Sequence, residues 1–202
     1  MMSLEMFNEH VLKGKSVEEL YELIEDFKIE QVFLKLQIEK ENIATFKLPP
    51  EEMVSKINSY RLYIKNTYAQ IEKINGTIER ADAEEFAIQF QENISNIHWI
   101  DYQIGGYFEG NEEYYLAFDD SSTTNDGMDR ETFLKEFSEL HIGEWRESYA
   151  DRDYGEQVMD GTSWSLNIHF YGDIKPAEFS GINAFPYNFG MLDQIIKKAS
   201  ID

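Results

Sequence analysis

Cysteine is absent from the 202 residues. That removes thiol nucleophiles, disulfide frameworks and cysteine-ligated zinc or iron–sulfur centres, and it fits a reducing compartment. Basic charge is scarce as well: 18 Lys and Arg face 39 Asp and Glu, a formal net charge of −21. Phosphate backbones and anionic membranes repel such a chain, so neither direct nucleic-acid binding nor membrane binding is expected. No run approaches the roughly 18 consecutive apolar residues of a membrane span. The start Met1-Met2-Ser3-Leu4-Glu5 has neither the basic nor the apolar stretch of a secretory signal, and a cytoplasmic protein is the expectation.

Compact chemical signatures are also missing. There is no Gly-x-x-x-x-Gly-Lys-Ser/Thr phosphate loop, no Gly-x-Gly-x-x-Gly fingerprint, no Gly-x-Ser-x-Gly elbow and no His-Glu-x-x-His pair. No cofactor, metal or catalytic residue is therefore assigned. The oxygen-rich segment Asp119 to Asp129 lacks the ligand register and the closing glutamate of an EF-hand loop and reads as solvated. With 42% apolar and 14% aromatic residues the chain nonetheless has the material for a sizeable core.

Periodicity divides the chain near residue 95. Up to that point the spacing is helical. Ser16 and Glu19 form a capping box, followed at helical spacing by Leu20, Leu23, Ile24, Phe27 and then Val32, Phe33 and Leu36. After Pro49-Pro50 a second stripe runs through Met53, Ile57, Tyr60, Ile64, Tyr68, Ile71 and Ile74 to a stop at Asn75-Gly76. A third, shorter helix starts at Asp82, with Glu85 completing its box. Beyond residue 95 the chemistry is that of strands: Ile97 to Ile104, Tyr114 to Phe118, Trp164 to Phe170 and a strand around Ala177 to Phe179. Asp129 caps a helix carrying Phe133, Leu134, Phe137 and Leu140, and Leu192, Ile195 and Ile196 belong to a closing helix. The expected class is α+β: an antiparallel helical hairpin with a short helix over 1–95, then an acidic domain over 96–202. That second domain would hold a four-stranded antiparallel sheet with two helices in the order ββαββα.

Part of the acidic half is similar to known sequences. The segments His141-Ile142-Gly143-Glu144-Trp145, Asp160-Gly161-Thr162-Ser163-Trp164-Ser165-Leu166 and Ser180-Gly181-Ile182-Asn183-Ala184-Phe185-Pro186-Tyr187-Asn188-Phe189 resemble a module of small uncharacterised proteins from Gram-positive bacteria. The resemblance spans roughly residues 140–196. It implies a recurring module of bacterial, phage or mobile-element origin and no chemistry. Physically, the Gly181-x-Asn183-Ala184-x-Pro186 piece reads as a rigid strand-to-helix connection.

The charge itself is the remaining signal. Residues 101–160 contain 17 acids and four bases, and the acids are interleaved with aromatics. Carboxylates so placed can occupy a basic groove while Tyr and Trp supply contact area. The leading expectation is a non-catalytic protein that binds and inhibits a basic, nucleic-acid-binding partner by mimicking nucleic acid, for example a phage or mobile-element inhibitor of a CRISPR effector. The residues assigned to partner binding are Asp101, Glu109, Glu112, Glu113, Tyr114, Asp119, Asp120, Glu144, Trp145, Glu147, Asp151, Asp153 and Tyr154. Two alternatives stand beside it. One is an immunity protein that neutralises a co-encoded toxin. The other is an enzyme in which His98 and His169 meet a carboxylate such as Asp101 or Asp173. Dimerisation through the helical half also stays open.

Overall fold

The computed structural model describes residues 2–106, 110–118 and 128–200. The chain forms two compact units, one built from 1–38 and 49–80, the other from 39–48 and 81–202. The composition change near residue 95 thus falls inside the second unit, which also reclaims the ten residues 39–48.

In the first unit, α1 (Leu4–Phe7) runs into a π-helical turn, Asn8–Leu12, ahead of two long helices, α2 (Val17–Glu41) and α3 (Glu51–Asn75). The capping box is present: the Ser16 backbone N–H donates to Glu19 Oε2 at 2.7 Å and the Glu19 N–H to Ser16 Oγ at 3.2 Å. Helix α3 stops where Gly76 adopts a left-handed conformation, φ 75°, and donates its N–H to Glu72 O at 2.8 Å. Ring pairs Tyr21–Tyr68 and Phe27–Tyr60, at 6.4 and 5.7 Å, set α2 and α3 antiparallel. Phe7 stacks on Tyr63 at 4.3 Å and closes a core with Leu12, Leu20, Ile24, Tyr68 and Ile71. Each fully buried aromatic or aliphatic side chain of this kind contributes about 1.5–3 kcal/mol.

The second unit holds α4 (Asp82–Glu92), β1 (Ile97–Gly106), β2 (Gly110–Ala117), α5 (Arg130–Ser138), β3 (Ser148–Ala150), β4 (Thr162–Phe170), β5 (Ala177–Ile182) and α6 (Phe189–Ala199). The class is α+β, as the pattern implies, but the sheet has five strands in the order β2-β1-β4-β5-β3 rather than four. It is also mixed rather than antiparallel, because β3 pairs in parallel with β5, Ser148 opposite Ser180. A three-residue strand has no alternation of its own to read. The start of α4 also differs from the expected Asp82–Glu85 box: Ala81 precedes the helix, and its N–H donates to Glu84 Oε2 at 3.2 Å. Alanine has no side-chain oxygen to return the bond.

Alternation along β1, β4 and β5 sends Ile100, Tyr102, Leu166, Ile168, Ala177 and Phe179 to one side, where α4, α5 and α6 cover them. Phe90 of α4 packs on Phe170 and Phe179, Phe133 of α5 on Phe118, and Phe189 of α6 on Tyr102 and Trp164. Phe46, from the returning segment, sits 5.1 Å from Phe185 and 5.0 Å from Phe189.

Two loop carboxylates lock the start of α5 and the approach to β4. Asp129 accepts from the Thr132 hydroxyl at 2.7 Å and the Thr132 N–H at 2.9 Å. Asp151 accepts from the Val158 N–H at 2.8 Å and from Asn183 Nδ2 at 3.3 Å. These bonds favour the ionised forms, so both carboxyl groups are held below the usual range, Asp129 chiefly by the Thr132 hydroxyl and Asp151 chiefly by the Val158 N–H. A group lowered in the folded state contributes stability that is present above its unfolded value and lost as pH falls through its folded value. The double variant Asp129→Asn/Asp151→Asn is therefore expected to lose less stability than the parent between about pH 5 and pH 3. Urea midpoints measured across that window check it, and parallel curves for the two proteins would refute it.

Candidate functional site

Three helices cover one face of the sheet, and the strands therefore present a second face. Its outward positions are Glu113 and Tyr115 on β2, Trp99, Asp101 and Gln103 on β1, Ser163, Ser165, Asn167 and His169 on β4, and Glu178 and Ser180 on β5. Gln103, Glu113, Tyr115, Ser163, Glu178 and Ser180 are exposed and the rest are half-buried. No lysine or arginine occurs in any of the five strands. Asp101, Glu113 and Glu178 thus set the sign of this face.

Aromatic rings cross it. His169 stacks on Trp99 at 3.5 Å and 14°, and Tyr115 lies 5.5 Å from Trp99 on the other side. Such cross-strand stacks hold the strands in register and leave flat, low-entropy contact area facing out. His98, next to a bulge in β1, stacks instead on Tyr171 at 4.2 Å. The two histidines lie on adjacent strands but pack on different aromatic partners. Asp101 accepts from Gln103 Nε2 at 3.4 Å and from Asn167 Nδ2 at 3.5 Å. Among the described residues no group of three or more His, Asp or Glu is placed to hold a metal ion.

Two concavities adjoin this face and share Ser165, the larger one wrapping round the β5 edge towards α4. The larger, about 770 Å³, lies where β5 extends past the end of β3, and its lining includes Phe86 and Phe90 of α4, Asn167, Glu178 and Glu147. Lys175 is the one cation among its described lining residues. The smaller, about 250 Å³, is lined by Gln103, Asn111, Glu113 and Ser163.

The residues selected from the sequence do not share one surface. Asp101 and Glu113 lie on the open face and Glu147 at the rim of its larger concavity. Glu112 and Tyr114 point to the helix-covered side: Glu112 pairs with Lys197 of α6 at 2.9 Å and accepts from Tyr114 at 3.1 Å, and both contacts hold its carboxyl below the usual range, the lysine contact most. Glu144 is half-buried in the short turn Ile142–Glu144. Trp145 is 6% exposed and belongs to the core, its indole N–H donating to Asn188 Oδ1 at 2.9 Å, so it offers a partner no surface. Asp151, Asp153 and Tyr154 lie on the loop after β3. Glu109, Asp119 and Asp120 fall outside the described residues.

That loop carries a charge cluster that spacing does not reveal. Glu39, with 6% of its side chain exposed, meets Arg146 at 3.4 Å and accepts the Tyr154 hydroxyl at 2.9 Å. The Arg146 guanidinium lies over the Tyr149 ring at 4.3 Å and also bonds the Tyr154 hydroxyl. Burial, reinforced by the Glu39 charge, raises the Tyr149 and Tyr154 hydroxyls above the ordinary tyrosine range. The cluster is structural in form: every polar group in it faces another.

Neither the Trp99–Tyr115 pair nor Ser165, Asn167 and Glu178 stands out in the sequence. The alternation from Ser163 to His169 was the available signal, because small polar residues at every second position of a long strand mark an uncovered face. Among the described residues, no helix is long and apolar enough to cross a membrane. No protein-family model, curated protein or solved structure matches this chain.

Proposed function

We propose that the second unit is a non-catalytic docking module for a basic protein, with the open sheet face as its contact surface. The concrete form is an inhibitor that occupies a nucleic-acid-binding groove in place of phosphates. One observation carries the reading: a continuous β-surface without a single strand lysine or arginine, bearing Asp101, Glu113 and Glu178, crossed by aromatic rings and flanked by two concavities. The carboxylates supply attraction and orientation, Tyr115 and Trp99 supply contact area, and the concavities accept protruding side chains.

The test is equilibrium binding to a panel of basic nucleases and nucleic-acid-binding enzymes, with a labelled duplex as competitor. Binding to at least one is expected, displaceable by the duplex and weakening as salt rises. Neutralising the face with Asp101→Asn/Glu113→Gln/Glu178→Gln is expected to weaken it roughly tenfold, since three solvent-screened pairs together amount to about 1–2 kcal/mol. Binding that ignores both salt and the triple substitution would sink the reading.

A further inference from the structure

Helical spacing assigns Val32, Phe33 and Leu36 to the same core as Leu20 and Ile24, yet they are 50, 56 and 43% exposed, and Ile29 is 64% exposed. Helix α2 has two apolar faces. Leu20, Ile24 and Phe27 pack into the hairpin core. At 3.6 residues per turn, Ile29, Val32, Phe33 and Leu36 fall on the opposite side as one stripe. Four large apolar side chains exposed in a row on one helix mark an interaction surface more than a solvated one.

The charges along that exposed side select the occupant. Glu22, Glu25 and Asp26 lie on it N-terminal to the stripe, Glu25 holding Lys28 of its own helix at 2.8 Å with its side chain still 64% exposed, and Lys40 lies on it C-terminal. From this polarity we infer that a second copy of the chain docks here, α2 against α2, antiparallel about a two-fold axis through the middle of the stripe. Such an interface is isologous, the same patch on both copies. The two-fold sets Ile29 opposite the second copy's Leu36 and Glu25 opposite its Lys40. A parallel pair would stack the acids on one another. The stripe alone buries less than the about 1,200 Å² of a standard stable interface, and each copy carries −21, so the dimer forms in a concentration-dependent way. The inference does not depend on the partner proposed above.

Sedimentation velocity over a concentration series tests it, with far-UV circular dichroism confirming that each variant is folded. The wild type is expected to shift from monomer to dimer as concentration rises, and Phe33→Asp to remain monomeric. Glu25→Lys and Lys40→Glu are each expected to weaken dimerisation roughly tenfold, because one reversal converts two symmetry-related attractions into repulsions. The double variant Glu25→Lys/Lys40→Glu restores it. A wild type that stays monomeric at its highest soluble concentration overturns the inference. So does a dimer that Phe33→Asp leaves intact, or a double variant that dimerises no better than either single one.

Discussion

Gly181→Ala is expected to destabilise the protein by about 3 kcal/mol, the upper end for an overpacked core, although it adds one methyl group. A Cβ at this position would run into the Trp164 indole nitrogen and lie 2.7 Å from Ala184 O. Neither neighbour can give way. Trp164 is 3% exposed, donates its indole N–H to Ala184 O at 2.9 Å, and is packed on by Trp145, Tyr149 and Phe189. Asn183, two residues on, holds a left-handed backbone at φ 57° and receives the Ala44 N–H at 2.8 Å. Moving the ring breaks its bond, and moving the loop unseats Asn183. For a chain of this size the effect corresponds to a fall in melting temperature of roughly 6–12 °C. A melting curve by circular dichroism checks it, and a variant that melts with the wild type would show that the Trp164 pocket is looser than described.

Arg146→Ala is expected to cost about 2–3 kcal/mol, somewhat below the 3–5 typical of breaking a fully buried pair. The substitution removes the guanidinium that faces the buried Glu39 carboxylate, which still accepts from the Tyr154 hydroxyl. The reduction reflects the 45% exposure of the arginine side chain, which lets water screen the pair. Arg146→Lys should recover little, because the guanidinium lies flat over Tyr149 and an ammonium cannot reproduce that stacking. The double variant Glu39→Gln/Arg146→Met should cost less than Arg146→Ala, since it removes the buried carboxylate charge along with the guanidinium. Urea unfolding of the four proteins separates these expectations; a lysine variant as stable as the wild type would refute the stacking role.

Both effects turn on contacts between residues far apart in the chain, and that distance decides what the sequence shows. The Ser16–Glu19 box, the Gly76 stop, the Asp129 cap and the alternation of β4 are local, each set by side chains within a few positions, and all are legible. Strand β3 exists only because Ser148, Tyr149 and Ala150 meet Ser180, Gly181 and Ile182. Glu39 is buried only because Arg146 and Tyr154 reach it. Trp145 stands between Glu144 and Arg146 in sequence and reads as surface, while its fold neighbours are Trp164 and Phe179. On α2 the period is right, but a period counts apolar positions without saying how many faces they line. The acidic surface was legible as a charge excess and not as a place: alternation sends Glu112 and Glu113 to opposite sides of the sheet.

The route of the chain through the second unit sets a timetable for synthesis. Phe46 leaves the ribosome about 140 residues ahead of Phe185 and Phe189, the rings it packs between. At about 5–20 residues per second the interval is on the order of ten seconds. During that time a bare aromatic segment waits for its pocket, the exposure that chaperones recognise. Of the two units, the one bearing the acidic face is thus completed later during synthesis.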